Sequence, residues 1–158
     1  MSAVESDIPP ALRDVLRGIG LENPDLDVPL HAKLVATLHR LGPGASFGDR
    51  IVALRFDFNW ELQDAGQMFA KAKADFEHHV ERKAVELLTE PKMSVAKADL
   101  IAKSSDQAYE LKLRFLLAEQ RERSMRKFLE TLAAALDNHR TNRADQRSAD
   151  GHHARTAT

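Results

Sequence analysis

The chain has 158 residues, with 23 Lys+Arg against 24 Asp+Glu and no Cys. A cysteine-free chain holds no disulfide framework, thiolate metal site or cysteine nucleophile, and a net charge of −1 excludes a uniformly basic nucleic-acid binder. The N-terminal MSAVESDIPPAL lacks the basic start and apolar core of a signal peptide, and no apolar run nears the roughly 18 residues of a membrane span. The expectation is a soluble, cytoplasmic, all-α protein with no membrane partner.

Ala is abundant, Ile is scarce, and all but one of the six Pro lie within the first 43 residues. The first third is therefore punctuated and the remainder suits long helices. Residues 1–45 form a short-helix segment. Ser6 or Asp7 is positioned to cap a helix with Pro9 and Pro10 in its first turn, running through Leu12, Val15 and Leu16 to Gly18 or Gly20. After the Asn23-Pro24 turn, Asp27 starts a second helix whose stripe is Leu30, Leu34, Leu38 and Leu41, ended by Gly42-Pro43-Gly44.

Ser46 to Asp49 has capping-box spacing. From there Ile51, Leu54, Phe58, Leu62, Ala65, Phe69, Ala72, Phe76, Val80, Ala84 and Leu87 recur at the period of a straight α-helix, about 3.6 residues. Pro91 interrupts it, and Ser94 can cap the next helix. That helix carries Ala98, Ile101, Ala108, Leu111, Phe115, Ala118, Met125, Leu129, Leu132 and Leu136 on one face. Folding back at a turn near 90–93 sets Leu132 against Ile51, Met125 against Phe58 and Phe115 against Phe69. Residues 46–140 are thus predicted to form a long antiparallel helical hairpin, coiled-coil-like in packing. Residues 141–158 read as a polar tail, partly helical and then disordered.

A second apolar set lies off the hairpin stripe: Val52, Phe56, Trp60 and Met68 on one helix, with Tyr109, Leu113, Leu116, Leu117 and Phe128 on the other. The short N-terminal helices are expected to cover the end near Phe56, Trp60 and Phe128. The patch of Tyr109 and its leucines is left for a second copy or a protein partner, so a homo-oligomer is expected. Glu122 falls on the inward stripe opposite Leu62 and reads as an edge residue pairing with Arg126 or Arg55. His78 and His79 read as solvated-face histidines, although Asp75 and His79 share a face. His152 and His153 define no site. There is no Gly-x-Ser-x-Gly, HExxH or phosphate-loop motif, so neither enzyme activity nor a metal or cofactor is expected.

Resolved along the chain, residues 1–91 carry 10 basic and 15 acidic groups, and residues 92–158 carry 13 and 9. The basic excess gathers near the C-terminus. Arg140, Arg143 and Arg147 continue the stripe of Leu132 and Leu136 at helical spacing, where the partner helix has run out. Arg126 and Lys127 lie upstream. Arginines on an exposed helical face suit phosphate contact, so nucleic acid is a candidate partner, against pairing with the acidic loop of Glu22, Asp25 and Asp27.

The stretch from Met93 to Asn142 carries SVAKAD after a turn, a Tyr-x-x-Lys-Leu centre at Tyr109 to Leu113, and a closing Leu132, Leu136, Arg140 series. With the preceding helix from Phe56, it resembles small helical-hairpin proteins of temperate phages and prophages. The resemblance spans residues 56–142 and carries no catalytic residues. It implies a non-enzymatic accessory role in DNA recombination, replication or repair within the host cytoplasm. The alternative is a protein–protein interaction module for virion assembly, adaptation or inhibition, with no nucleic-acid contact.

Overall fold

The computed structural model describes residues 8–156, with side chains from 8 to 150. Among them every regular element is a helix: α1 (Pro10–Gly18), α2 (Pro29–His39), α3 (Phe47–Leu88), α4 (Val95–Lys103) and α5 (Asp106–Thr156). Two compact units are present, Met1–Asn59 with Lys127–Thr158, and Trp60–Arg126. Among the described residues no helix is long and apolar enough to cross a membrane.

In the first unit, α1 buries Leu12, Val15 and Leu16 on one face. Its N-cap is Pro9, which has no side-chain acceptor; the expected caps Ser6 and Asp7 lie outside the described residues. It ends in a Schellman turn. Gly20 sits at φ 82°, its N–H donates to the Arg17 carbonyl at 2.9 Å, and the Leu21 N–H donates to Leu16 at 2.8 Å. Gly18 has a second reason to lack a side chain, because a Cβ there would stand 2.9 Å from the Phe47 ring. The first turn of α3 is thereby seated against the last turn of α1.

Helix α2 begins after Val28 rather than at Asp27, whose N–H instead donates to the Asp25 carboxylate in an Asx turn. Its Leu34, Val35 and Leu38 are buried. Two polar ties join it to α3. Thr37 Oγ1 donates to Asp57 at 2.8 Å, and the Arg40 guanidinium pairs with the same carboxylate. Arg50, 2% exposed, reaches back and donates to the carbonyls of Leu38, Gly42 and Ala45. The Leu38 and Gly42 carbonyls also accept turn hydrogen bonds, from the Leu41 N–H at 3.3 Å and the Ala45 N–H at 3.1 Å, and the guanidinium adds a charged donor to all three carbonyls at once.

The α3 stripe behaves as its period requires. Ile51, Leu54 and Phe58 are fully buried in the first unit, with Leu132 and Leu136 of α5 buried in the same unit. Phe58 meets Phe128 edge-on at 5.1 Å. Phe128 is therefore half-buried against α3 itself, while Phe56 remains exposed; the N-terminal helices do not cover these positions as expected. They pack on each other instead, with Gly18 of α1 against the Phe47 ring.

In the second unit, Ala65 and Val80 of α3 are buried, and Phe69 and Phe76 lie against Phe115 of α5 at 5.6 and 6.3 Å between ring centroids. Lys112 Nζ lies 4.4 Å from the Phe115 centroid. Trp60, which the N-terminal helices were also expected to cover, is exposed. The turn after α3 has Pro91 and then Lys92 at φ 67°, and the Met93 N–H donates to Glu90 at 3.3 Å. That is a type II turn with proline at its first central position. Ser94 caps α4, as its position predicts, accepting from the Lys97 N–H.

One expected element is two. The helix after Ser94 breaks at Ser104 and Ser105. Both hydroxyls donate back to carbonyls, of Ile101 and Ala102, and Ser105 Oγ also accepts from the Ala108 N–H, capping α5. Ala98 and Ala108 of the expected stripe are buried, but the break shifts the phase between them, so Ala102 is buried in place of Ile101, which is exposed. The break also changes His79. That side chain is 8% exposed, with Nε2 3.4 Å from Ser105 Oγ, and is not a solvated-face histidine; its neighbour His78 is exposed. At its far end α5 runs on through Thr156, further than the partly helical tail expected.

Candidate nucleic-acid interface

The site lies in the first unit, where α3 begins. Ser46 caps α3: its hydroxyl donates to Asp49 at 2.7 Å and accepts from the Asp49 N–H, while the carboxylate also takes the Ser46 N–H at 3.0 Å. This is the reciprocal capping box that the Ser46–Asp49 spacing predicts. The hydrogen bonds from Ser46, side chain first, hold the Asp49 carboxyl below its ordinary pKa. The remaining N–H groups of the first turn leave positive potential at this end of α3.

α5 runs past that end. Gly48 sits beside Leu136, where an added Cβ would be 3.7 Å from Leu136 Cδ1, and the Phe47 ring packs 4.7 Å from His139. Beyond these contacts α3 has no further residues to offer. The same face of α5 then presents Arg140, Arg143 and Arg147, which line one open cleft of about 450 Å³ with Ser46, Asp49 and His139. Three guanidinium groups thus share a concave surface with a single carboxylate.

The arginines are lightly committed. Arg140 lies 3.7 Å from Asp137, both side chains well exposed, a contact that contributes little to stability. Arg147 Nε donates to the Arg143 carbonyl at 3.2 Å. Among the described residues Arg143 and Arg147 meet no carboxylate, and none of the three pairs with Glu22, Asp25 or Asp27. Guanidinium forks held in this way can each give two parallel hydrogen bonds to a phosphate.

The other predicted residues are placed elsewhere. Arg126 is ion-paired with Glu122, the edge pairing expected of that glutamate. Lys127 projects from the face of α5 opposite the arginines, by the 100° rotation per residue of an α-helix. Of the apolar set, Tyr109, Phe56, Leu117 and Trp60 are the most exposed, followed by Val52 and Met68 and then Leu116 and Leu113. Met68 Sδ accepts from Arg121 at 3.7 Å. Sequence pattern gave no sign of His139, which closes the cleft on the α5 side, or of Arg50, which fixes the loop before Ser46. Among the described residues no three His, Asp or Glu come close enough to hold a metal ion. No family model, curated protein or solved structure matches the chain.

Proposed function

We propose that this chain is a non-enzymatic accessory or scaffold protein that engages nucleic-acid phosphates through Arg140, Arg143 and Arg147. The observation that carries the reading is the convergence of these three side chains on one open cleft at the positive end of α3. The resemblance to phage-encoded hairpin proteins favours DNA recombination, replication or repair in the host cytoplasm as the setting. In this reading α3, the Pro91 turn, α4 and α5 make one antiparallel hairpin. Each unit supports that by itself: contacts on α5 descend in number as those on α3 ascend, Phe47 with His139 and Phe58 with Phe128 in one, Glu61 with Arg121 and Phe69 with Phe115 in the other.

Fluorescence anisotropy with a labelled DNA duplex tests it. Replacing the three arginines with Ala should weaken binding at low salt by at least tenfold, whereas Lys127→Ala on the opposite face should leave it within about twofold. Equal binding by the triple variant and the parent chain overturns the assignment.

The second reading is a protein–protein interaction module, for virion assembly, adaptation or inhibition. It is favoured by the outward apolar residues from Tyr109 to Leu117, which the fold leaves open. Self-association belongs to both readings.

A further inference from the structure

We infer that the outer face of α5 between Asp106 and Arg123 docks against the same face of a second copy, antiparallel, about a two-fold axis between Leu113 and Leu116. The inference rests on the self-association just proposed and is independent of nucleic-acid binding.

The face is defined by spacing. Tyr109, Leu113, Leu116 and Gln120 recur at steps of four, three and four, the a/d pattern of a coiled-coil seam, with Asp106 and Arg123 extending it one step at each end. This seam lies on the side of α5 away from Phe115 and Leu111, which turn inward. Its apolar members are open, Tyr109 at 69% and Leu113 and Leu116 at about half exposure, with Leu117 beside them at 62%. The seam is about 27 Å long, five helical turns.

Charge chooses the occupant and its direction. The seam begins with a carboxylate, Asp106, and ends with a guanidinium, Arg123. An antiparallel copy sets Leu113 against the partner's Leu116, Tyr109 against the partner's Gln120, and Asp106 against the partner's Arg123, each contact occurring twice. Lys112 then flanks the partner's Glu119. Arg123 already holds Glu119 of its own chain at 2.9 Å, and the guanidinium has donors left for the incoming carboxylate. A parallel copy would instead oppose Asp106 to itself and Arg123 to itself. The pattern is self-complementary only in the antiparallel sense, which is the requirement of an isologous interface.

The absence of cysteine from the chain gives a clean test. Full-length Leu113→Cys and Leu116→Cys variants, one carrying a size tag, are mixed in equal amounts and oxidised at micromolar concentration. The inference predicts that the covalent heterodimer outweighs either covalent homodimer severalfold. Sedimentation equilibrium of the parent chain should show dimer, and Leu113→Lys/Leu116→Lys should raise its dissociation constant at least tenfold with helical circular dichroism unchanged. A monomeric parent chain overturns both this inference and self-association. A dimer in which Phe56→Cys crosslinks and the mixed pair does not overturns this face alone. Covalent homodimers in excess over the heterodimer overturn the antiparallel register.

Discussion

Arg50 shows how one side chain can set the position of a site that it does not itself line. Its side chain is buried, it pairs with no carboxylate among the described residues, and its guanidinium donates to three carbonyls, of Leu38 in α2 and of Gly42 and Ala45 on the α2–α3 connection. Arg50→Ala removes a buried side chain and three hydrogen bonds from a charged donor, leaving the Leu38 and Gly42 carbonyls only their turn hydrogen bonds, and we expect a loss of about 3 kcal/mol in urea unfolding. A loss below about 1 kcal/mol would mean that the connection is held by apolar packing alone. Lys92 makes the opposite case. At φ 67° it pays the left-handed penalty of a residue with a Cβ, so Lys92→Gly should raise stability by about 0.5–1 kcal/mol; a decrease would remove the type II turn as described.

Asp49 gives the capping box a pH dependence. Its folded pKa lies below the unfolded value, so the contribution is fully present above the ordinary carboxylate range and is lost as the pH falls through the folded value. Asp49→Ala should therefore lower the melting temperature more at neutral pH than near pH 2, and an equal drop at both would exclude the carboxylate as the cause.

At the scale of elements, period and punctuation carried most of what could be read beforehand. Every α3 stripe residue from Ile51 to Leu87 is buried or half-buried, because eleven apolar side chains on one helical face have no other way to leave water. The Ser46 and Ser94 caps were legible too, since each hydroxyl stands between a turn and the start of a helical run. The break at Ser104 and Ser105 was not. Serine is nearly neutral inside a helix until its hydroxyl finds a carbonyl, and here two in succession do so. With the break went the α4 phase and the burial of His79. Ser105→Ala removes the α5 cap, a carbonyl partner and the contact to His79 together, and should cost about 1–2 kcal/mol in thermal unfolding. No measurable change would indicate that α4 and α5 can run as one helix.

For the whole molecule, a net charge of −1 conceals a division that the structure makes specific. The arginines of the cleft were visible in the sequence as a continued stripe. What the sequence could not supply was the other wall, Ser46 and Asp49, because it depends on where α3 starts against α5 and not on either pattern alone. The central claim is that this cleft takes phosphate, and the dependence of DNA affinity on salt measures it most directly. If all three arginines displace counterions, a plot of log K against log salt concentration should fall with a slope of about −2.7, shrinking by about 0.9 for each arginine replaced by Ala. A parent chain whose binding does not change with salt, or a slope that the three replacements leave intact, would contradict it.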